Sequence, residues 1–348
     1  MRSFEPGFLS GQSVSHGLAR TLRLLGEYKG KQDLWREQSP ELLQRLTESA
    51  RVESAESSNR IEGVTVERER LEAIVQGARP ARDRSEQEIA GYRDVLATIH
   101  SNWRDMRLSP GLVLQLHRDL FHYAPGQGGR WKSVDNQIIE TSASGRRIRF
   151  TPVPAYATAD AMSRLHEGYA QAWAAGQLDP LLLVPAYVLD FLCIHPFLDG
   201  NGRMARLLSL LLLYQAGYEV GRYIGLERIV EQQREGYYDA LAASSQQWHD
   251  AAHSLTPWWE FFLGVMLQSG YRELEQRVGA LGNARGAKRQ AVLDAIARLP
   301  SEFRHADVAR TCPGVSRPTI ERVLAELKAQ GRIRSVRGGR GATWEKVD

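Results

Sequence analysis

The run His195-Pro196-Phe197-Leu198-Asp199-Gly200-Asn201-Gly202-Arg203-Met204-Ala205-Arg206 decides how this chain is read. An apolar segment precedes it, Leu181 through Ile194, and another follows, Leu207 through Tyr214. Each is about helix length and each ends in turn chemistry, so the polar residues lie where one buried helix stops and the next begins. A helix start presents unpaired N–H groups and a positive dipole, a natural anion site. Gly200 and Gly202 allow a tight turn and close backbone approach to a ligand. Arg203 and Arg206, three apart, share one side of the second helix's first turn. Their charge opposes the dipole there, and an anion between them supplies a reason for the placement.

The 348 residues suffice for two or three domains, and 43% apolar with 25% charged content is ordinary for a soluble globular chain. No apolar run reaches the ~18 residues of a membrane span, and Met1 to Pro6 lacks a signal core. The only cysteines, Cys193 and Cys312, form neither a disulfide framework nor a zinc spacing. A cytoplasmic location is the expectation. Residues 286–348 hold 13 Lys and Arg against 7 Asp and Glu, a net of +6; with +4 for the whole chain, residues 1–285 carry −2.

Along the chain, residues 1–35 read as an irregular arm with a short helix around Leu18 to Tyr28. A helix from Pro40 runs on to Glu62-Gly63, where Ser58 and Glu62 are i,i+4 neighbours and Gly63 suits a C-cap. Further helices are expected over Arg68–Gln76, Glu86–Arg104, Pro110–Leu120, Pro154–Ala174 and Glu231–Trp248. The stretch from Trp131-Lys132-Ser133-Val134 through Gln137-Ile138-Ile139, a turn, and Arg147 to Thr151 reads as a β-hairpin. After a Gly-containing link come helices at Lys288–Leu299, His305–Arg310 and Ser316–Gln330, then two short strands around a Gly-rich turn.

The run from His195 to Arg206 resembles the HxFx(D/E)GNGRxxR signature of the Fic (Fido) family at every fixed position; the likeness extends over roughly residues 40–265. It implies a mainly α fold, a Fic-type helical bundle with a β-hairpin flap; the tail's three helices and strand pair separately resemble a C-terminal winged helix-turn-helix domain. The expected division is 1–107, an N-terminal helical region; 108–265, the Fic core with its flap at about 130–151; 266–285, a connecting helix and link; and 286–348, the winged helix. The implied activity is protein AMP transfer from ATP to a Tyr, Thr or Ser hydroxyl of a target protein or of the chain itself. His195 would be the base. Gly200, Asn201, Gly202, Arg203 and Arg206 would hold the phosphates, and Asp199 would hold Mg²⁺. Tyr237 and Tyr238, in a pattern similar to the family's, would lie near the adenosine.

Ser58-x-x-x-Glu62-Gly63 is similar to the family's inhibitory motif, which implies that Glu62 pairs with Arg206 and holds the enzyme off. Val134, Ile138 and Ile139 would dock a target strand along the flap; a solvent-covered hairpin without function fits the same residues. In the tail, Arg317, Thr319 and Arg322 would project from the third helix and Arg337 and Arg340 from the wing, toward DNA or toward a protein partner. Alternative readings are another phosphate-group transfer or AMP removal at the same site, or a nucleotide-sensing DNA-binding regulator. A second copy of the chain is a further candidate partner, and no membrane is expected.

Overall fold

The computed structural model describes all residues except Met1, 125–127, 143–144, 283–286, 313–314, 338–342 and Asp348. The chain divides into two compact units, Met1–Gln32 with Gln44–Arg272, and Asp33–Leu43 with Glu273–Asp348. The division falls before the link near 286, and a short internal segment joins the C-terminal unit.

In sequence order the first helices are α1 (His16–Gln38), α2 (Pro40–Ile61), α3 (Arg68–Val75), α4 (Arg84–Asn102) and α5 (Pro110–Leu120). The N-terminus corrects the expectation of an irregular arm: α1 is 23 residues long. Ser3 is fully buried, its amide and hydroxyl donating to the Asp190 carboxylate at 3.1 and 2.7 Å. The Trp248 indole donates to the same carboxylate at 2.6 Å. Burial pushes the Asp190 pKa up to about 6, and the Ser3 and Trp248 bonds oppose that rise.

The hairpin is β1 (Ile138–Ser142) and β2 (Gly145–Phe150), antiparallel, with Ile138 opposite Phe150 and Ser142 opposite Gly145. It starts later than the sequence suggested. Residues 131–137 make no ladder because Lys132 and Asn136 bond the loop after Ile194 instead.

Next come α6 (Thr158–Ala175), α7 (Pro180–Ile194) and α8 (Asn201–Gln215). Asp179 caps α7, its carboxylate accepting the Leu181 N–H at 2.9 Å, and Pro180 takes the first turn, where a missing donor costs nothing. Helices apolar on nearly every face belong in a core, and α7 and α8 are buried along almost their whole length. They pack on each other, with α6 and α11 (Thr256–Trp259) against α7 and α4 against α8. Pro185 interrupts α7, and there the Trp259 and Trp258 indoles donate to the Leu182 and Pro185 carbonyls at 3.0 and 2.8 Å.

Glu231–Trp248, expected as one helix, is split at Gln233 into α9 (Leu226–Gln232) and α10 (Arg234–Ser245). After α11 a π-helical stretch, Glu260–Leu267, leads into α12 (Gln268–Gly282).

The C-terminal unit contains α13 (Ala287–Arg298), β3 (Glu302–Arg304), α14 (His305–Thr311), α15 (Arg317–Ala329), β4 (Ile333–Arg337) and β5 (Thr343–Lys346). The sheet order is β3-β5-β4, with Phe303 opposite Trp344. Three-residue β3 has no periodicity to reveal it; its pairing with β5 makes it a strand. Ile320, Val323, Leu324 and Leu327 of α15 pack with Val292, Phe303 and Ile333. Arg317 and Arg322 are exposed, Arg317 beside Glu321 at 2.9 Å. Thr319 is half-buried, 3.0 Å from the Ser316 hydroxyl. The Arg337 side chain and Arg340 lie outside the described residues. No helix among the described residues is long and apolar enough to cross a membrane.

Candidate active site

His195 ends α7 in the left-handed region, at φ +50°, with its amide bonded to Phe191 O at 2.9 Å. For a non-glycine residue this conformation costs roughly 1–2 kcal/mol, so surrounding contacts must hold it. Ring Nδ1 lies 3.3 Å from the Leu192 carbonyl oxygen. A carbonyl only accepts, so the neutral ring carries its proton on Nδ1 and keeps a basic lone pair on Nε2. Burial pushes the ring's pKa down to about 4; Lys132 lowers it further, while the Leu192 carbonyl and Glu62 act against the fall. The ring is therefore neutral at pH 7, the form a general base needs.

The loop after His195 is braced from α5. The His117 ring stacks on Phe197 at 3.5 Å and 4°. The Gly129 amide donates to His117 Nδ1 at 3.1 Å, which leaves Nε2–H to donate to Asp199 O at 3.1 Å. Burial lowers the His117 pKa to about 4, so this neutral tautomer persists at pH 7. Gly200 then turns the chain at φ +81° into α8. A Cβ there would stand 2.8 Å from the Phe121 ring.

Arg206, in the second turn of α8, is buried and reaches the end of α2. Its Nε donates to the Ser58 hydroxyl at 2.8 Å; its Nη2 donates to Ser58 O at 2.9 Å and to Glu62 Oε1 at 2.8 Å. Burial opposes the Arg206 charge, but the Glu62 carboxylate, Tyr237 and Tyr92 together outweigh it and the pKa rises. Glu62 follows the last residue of α2, and Gly63 turns away at φ +85°. Each charge is at the wrong end for its own dipole, and the pair satisfies both. A Cβ on Gly202 would lie only 2.2 Å from Glu62 Oε1. The carboxylate thus sits over the N-terminal turn of α8, where an anion would bind.

Two residues expected on the phosphates, Arg203 and Asn201, are directed elsewhere, and Asp199 uses one of its two oxygens within the loop. Arg203 is turned away from Arg206 into the protein: Nη1 donates to Glu88 Oε2 at 2.6 Å, Nη2 to Asp199 Oδ1 at 3.4 Å, and the guanidinium lies 5.2 Å from the Phe121 ring centre. Asn201 spends its amide on the loop, accepting from Phe197 N at 3.0 Å and donating to Phe197 O at 2.8 Å. Asp199 Oδ1 accepts the Gly200 N–H at 2.6 Å, and Oδ2 faces Arg84 at 3.7 Å, beyond hydrogen-bond distance.

Arg203→Ala removes the buried cation from a buried carboxylate, a change that typically destabilises by about 3 kcal/mol. Urea titration should show a loss of that size. Lost nucleotide transfer at unchanged stability would instead place Arg203 on the phosphates.

The side chains that do converge enclose a cavity of about 750 Å³, within the ~300–1,000 Å³ range of ligand sites. His195 and Cys193 line it from α7, Gly202 and Arg206 from α8, and Glu62 from the end of α2; Ile138, Ile139, Arg149 and Phe150 line it from the hairpin. Burial pushes the Cys193 thiol well up, which suits packing and not nucleophilic attack. Val134 is exposed and apart from the cavity lining.

Tyr237 and Tyr238 of α10 both line the cavity, ring centres 5.2 Å apart and edge-on. Tyr237 is buried against Trp258 and Phe261; burial raises its pKa and the neighbouring Arg206 works against the rise. Tyr238 carries two guanidiniums near its ring, Arg149 at 5.6 Å and Arg234 at 5.8 Å. Those cations, and Glu235 and Asp239 on the same wall, went unread in the sequence. Nothing in a solvent-type charge pattern separates a cavity wall from an ordinary exposed face. Glu88, Lys132 and Asn136 were likewise missed, since each acts across a long sequence separation.

A helix-loop-helix core in a mainly helical protein brings a neutral imidazole, a helix start and a buried arginine to one cavity. The Fic/DOC family profile matches residues 107–213, and the chain carries a Fic domain there. It is 31% identical over 135 residues to the protein adenylyltransferase Fic of Culex quinquefasciatus, covering 38% of this chain and 24% of that protein. It is 36% identical over 75 residues to a Fido domain-containing protein of Dictyostelium discoideum, covering 22% of this chain and 50% of that one. The chain therefore spans only part of the curated relatives it matches. A Fic family protein structure from Desulfovibrio desulfuricans G20 shares the fold with a TM-score of 0.65 at 23% identity, covering 96% of this chain and 97% of that one.

Proposed function

We propose that this protein transfers AMP from ATP to a hydroxyl of a protein, and that Glu62 restrains it. The observation that carries the reading is the single cavity wall shared by His195, Gly202 and Arg206, with Glu62 bonded to Arg206. His195 Nε2 takes the proton of the incoming Tyr, Thr or Ser hydroxyl. The hydroxyl oxygen bonds to the α-phosphorus, the bond to the bridging oxygen breaks, and pyrophosphate leaves with that electron pair. The amides of the first α8 turn and the Arg206 guanidinium hold phosphate oxygens. Arg203 and Asn201 contribute by fixing the loop that presents those amides.

Asp199 fits a magnesium ion as a single hard-oxygen ligand through Oδ2, the usual protein share when phosphates and water complete the shell. The ion would neutralise phosphate charge. The α10 tyrosines border the space left for adenosine, and the exposed edge of Ile139 suits a target strand laid beside the hairpin.

Incubation with α-³²P-labelled ATP and Mg²⁺ tests the reading. Label retained on protein supports AMP transfer; label released from pre-modified protein would mean AMP removal, and no label even with Glu62 replaced would leave a nucleotide sensor.

The C-terminal unit, which we read as a winged helix, carries the chain's basic excess and exposes Arg317 and Arg322 on α15. We propose DNA as its partner. Its affinity for duplex DNA should fall steeply with salt as arginines displace counterions; a salt-independent interaction would point to a protein partner.

A further inference from the structure

The left-handed turn at His195 needs a holder, and the segment before the hairpin supplies one. Lys132 Nζ donates to Ile194 O at 3.1 Å, and the Lys132 amide donates to Pro196 O at 2.8 Å. Asn136 Nδ2 donates to His195 O at 3.3 Å and to Phe197 O at 3.0 Å. The carbonyls of residues 194, 195, 196 and 197 are thus all received by two residues four apart. Asn136 Oδ1 accepts from Lys132 Nζ at 2.7 Å, which closes the network and fixes the amide's orientation: its NH₂ faces acceptors and its oxygen faces a donor. Lys132 is buried, and burial lowers its pKa to about 8, with Asp135 opposing the fall.

We infer that Asn136, with Lys132 behind it, is the positioning residue for His195: it caps the carbonyls of His195 and Phe197 while Lys132 caps those of Ile194 and Pro196, and so aims Nε2 into the cavity. The inference rests on the reading of His195 as the base. Helix-end carbonyls have no partner of their own, and a backbone in the left-handed region persists only where its surroundings over-determine it. Asn136 does not itself line the cavity and reaches it through the backbone carbonyls of His195 and Phe197, so an effect on the base is read at the His195 ring.

The test is Asn136→Leu, which keeps the γ-branched shape and removes both donors. Asn136 is half-buried in a surface segment, and thermal melting with ATP titration shows whether the variant folds and binds. A base displaced by about 1 Å costs about 100-fold in rate. Expected, therefore, is a kcat about 100-fold lower with KM for ATP within about 2-fold, and Asn136→Gln, which keeps an amide, restoring part of it. A parallel fall in ATP affinity, or an unchanged kcat, would overturn the proposal. Nuclear magnetic resonance of ring-labelled histidine separates this from the functional reading. Should neither wild type nor Glu62→Gly transfer AMP, the activity reading fails, while a His195 resonance shifted in Asn136→Leu still supports the clamp. A resonance that stays in place would overturn it.

Discussion

His195→Ala should abolish AMP transfer while leaving ATP binding nearly intact. The ring borders the cavity but gives no charge to it, since burial keeps it neutral at pH 7. Its loss removes a base that acts only as the hydroxyl attacks. Such a base contributes typically ~10²–10⁴-fold in rate, equivalent to about 3–5 kcal/mol of barrier. Arg206 and the α8 amides, which would hold the nucleotide, keep their places because His195 reaches neither through its ring. Single-turnover labelling with α-³²P-ATP, beside an ATP titration, measures both quantities. Wild-type turnover in the alanine variant would remove His195 from the mechanism; equal losses in binding and rate would make it a structural residue of the loop.

Glu62→Gly should raise transfer by at least ~10-fold, which needs a barrier change of only ~1.4 kcal/mol. The Glu62 oxygen bonded to Arg206 also covers Gly202 at the start of α8. A triphosphate placed on those groups would meet a carboxylate, and like charges ~4 Å apart repel by about 1–4 kcal/mol between bulk-water and surface dielectrics. ATP could still enter, but displaced, and alignment is where this chemistry draws most of its rate. Arg206→Ala breaks the same pair yet should not activate, because it takes away the phosphate ligand as well. It also strands the Ser58 carbonyl and hydroxyl at the end of α2. Self-labelling of both variants decides the matter: a Glu62→Gly rate no higher than wild type would leave the α2 terminus as a structural cap for Arg206.

The cavity geometry bears on how such inhibition would be lifted. Glu62 is the first residue beyond α2, and α2 is tied to α9 by Ser54 to Glu227 at 2.7 Å, Arg228 to Glu53 at 3.1 Å and Arg60 to Glu231 at 3.1 Å. The Tyr92 hydroxyl adds a bond to Glu227 at 2.8 Å. Helix α9 leads directly into α10, whose tyrosines border the cavity. The end of α2 and the proposed nucleotide wall are thus joined through α9.

What the sequence determined by itself is local in origin. Pro180 after Asp179, the apolar runs on both sides and Gly200 with Gly202 specify a helix, a tight loop and a second helix, because caps and turn residues act within a few positions. Likeness to the family's inhibitory motif implied that Glu62 meets Arg206, with the opposed dipoles as the physical reason, and the structure brings them to 2.8 Å. In the tail, the apolar period of α15 was enough to place its buried face. The tertiary structure decided which arginine faces the cavity. Positions 203 and 206 lie close together around a helix axis, so neither sequence spacing nor propensity separates them. Glu88, 115 residues away, draws Arg203 into the protein, and Ser58 and Glu62 hold Arg206 at the cavity. The same holds for the strained turn at His195. Its carbonyl partners come from a segment about 60 residues earlier, whose β-prone pattern suggested a strand. A backbone donor or acceptor can be satisfied by any polar group the fold brings near, and only the folded chain shows which one arrives.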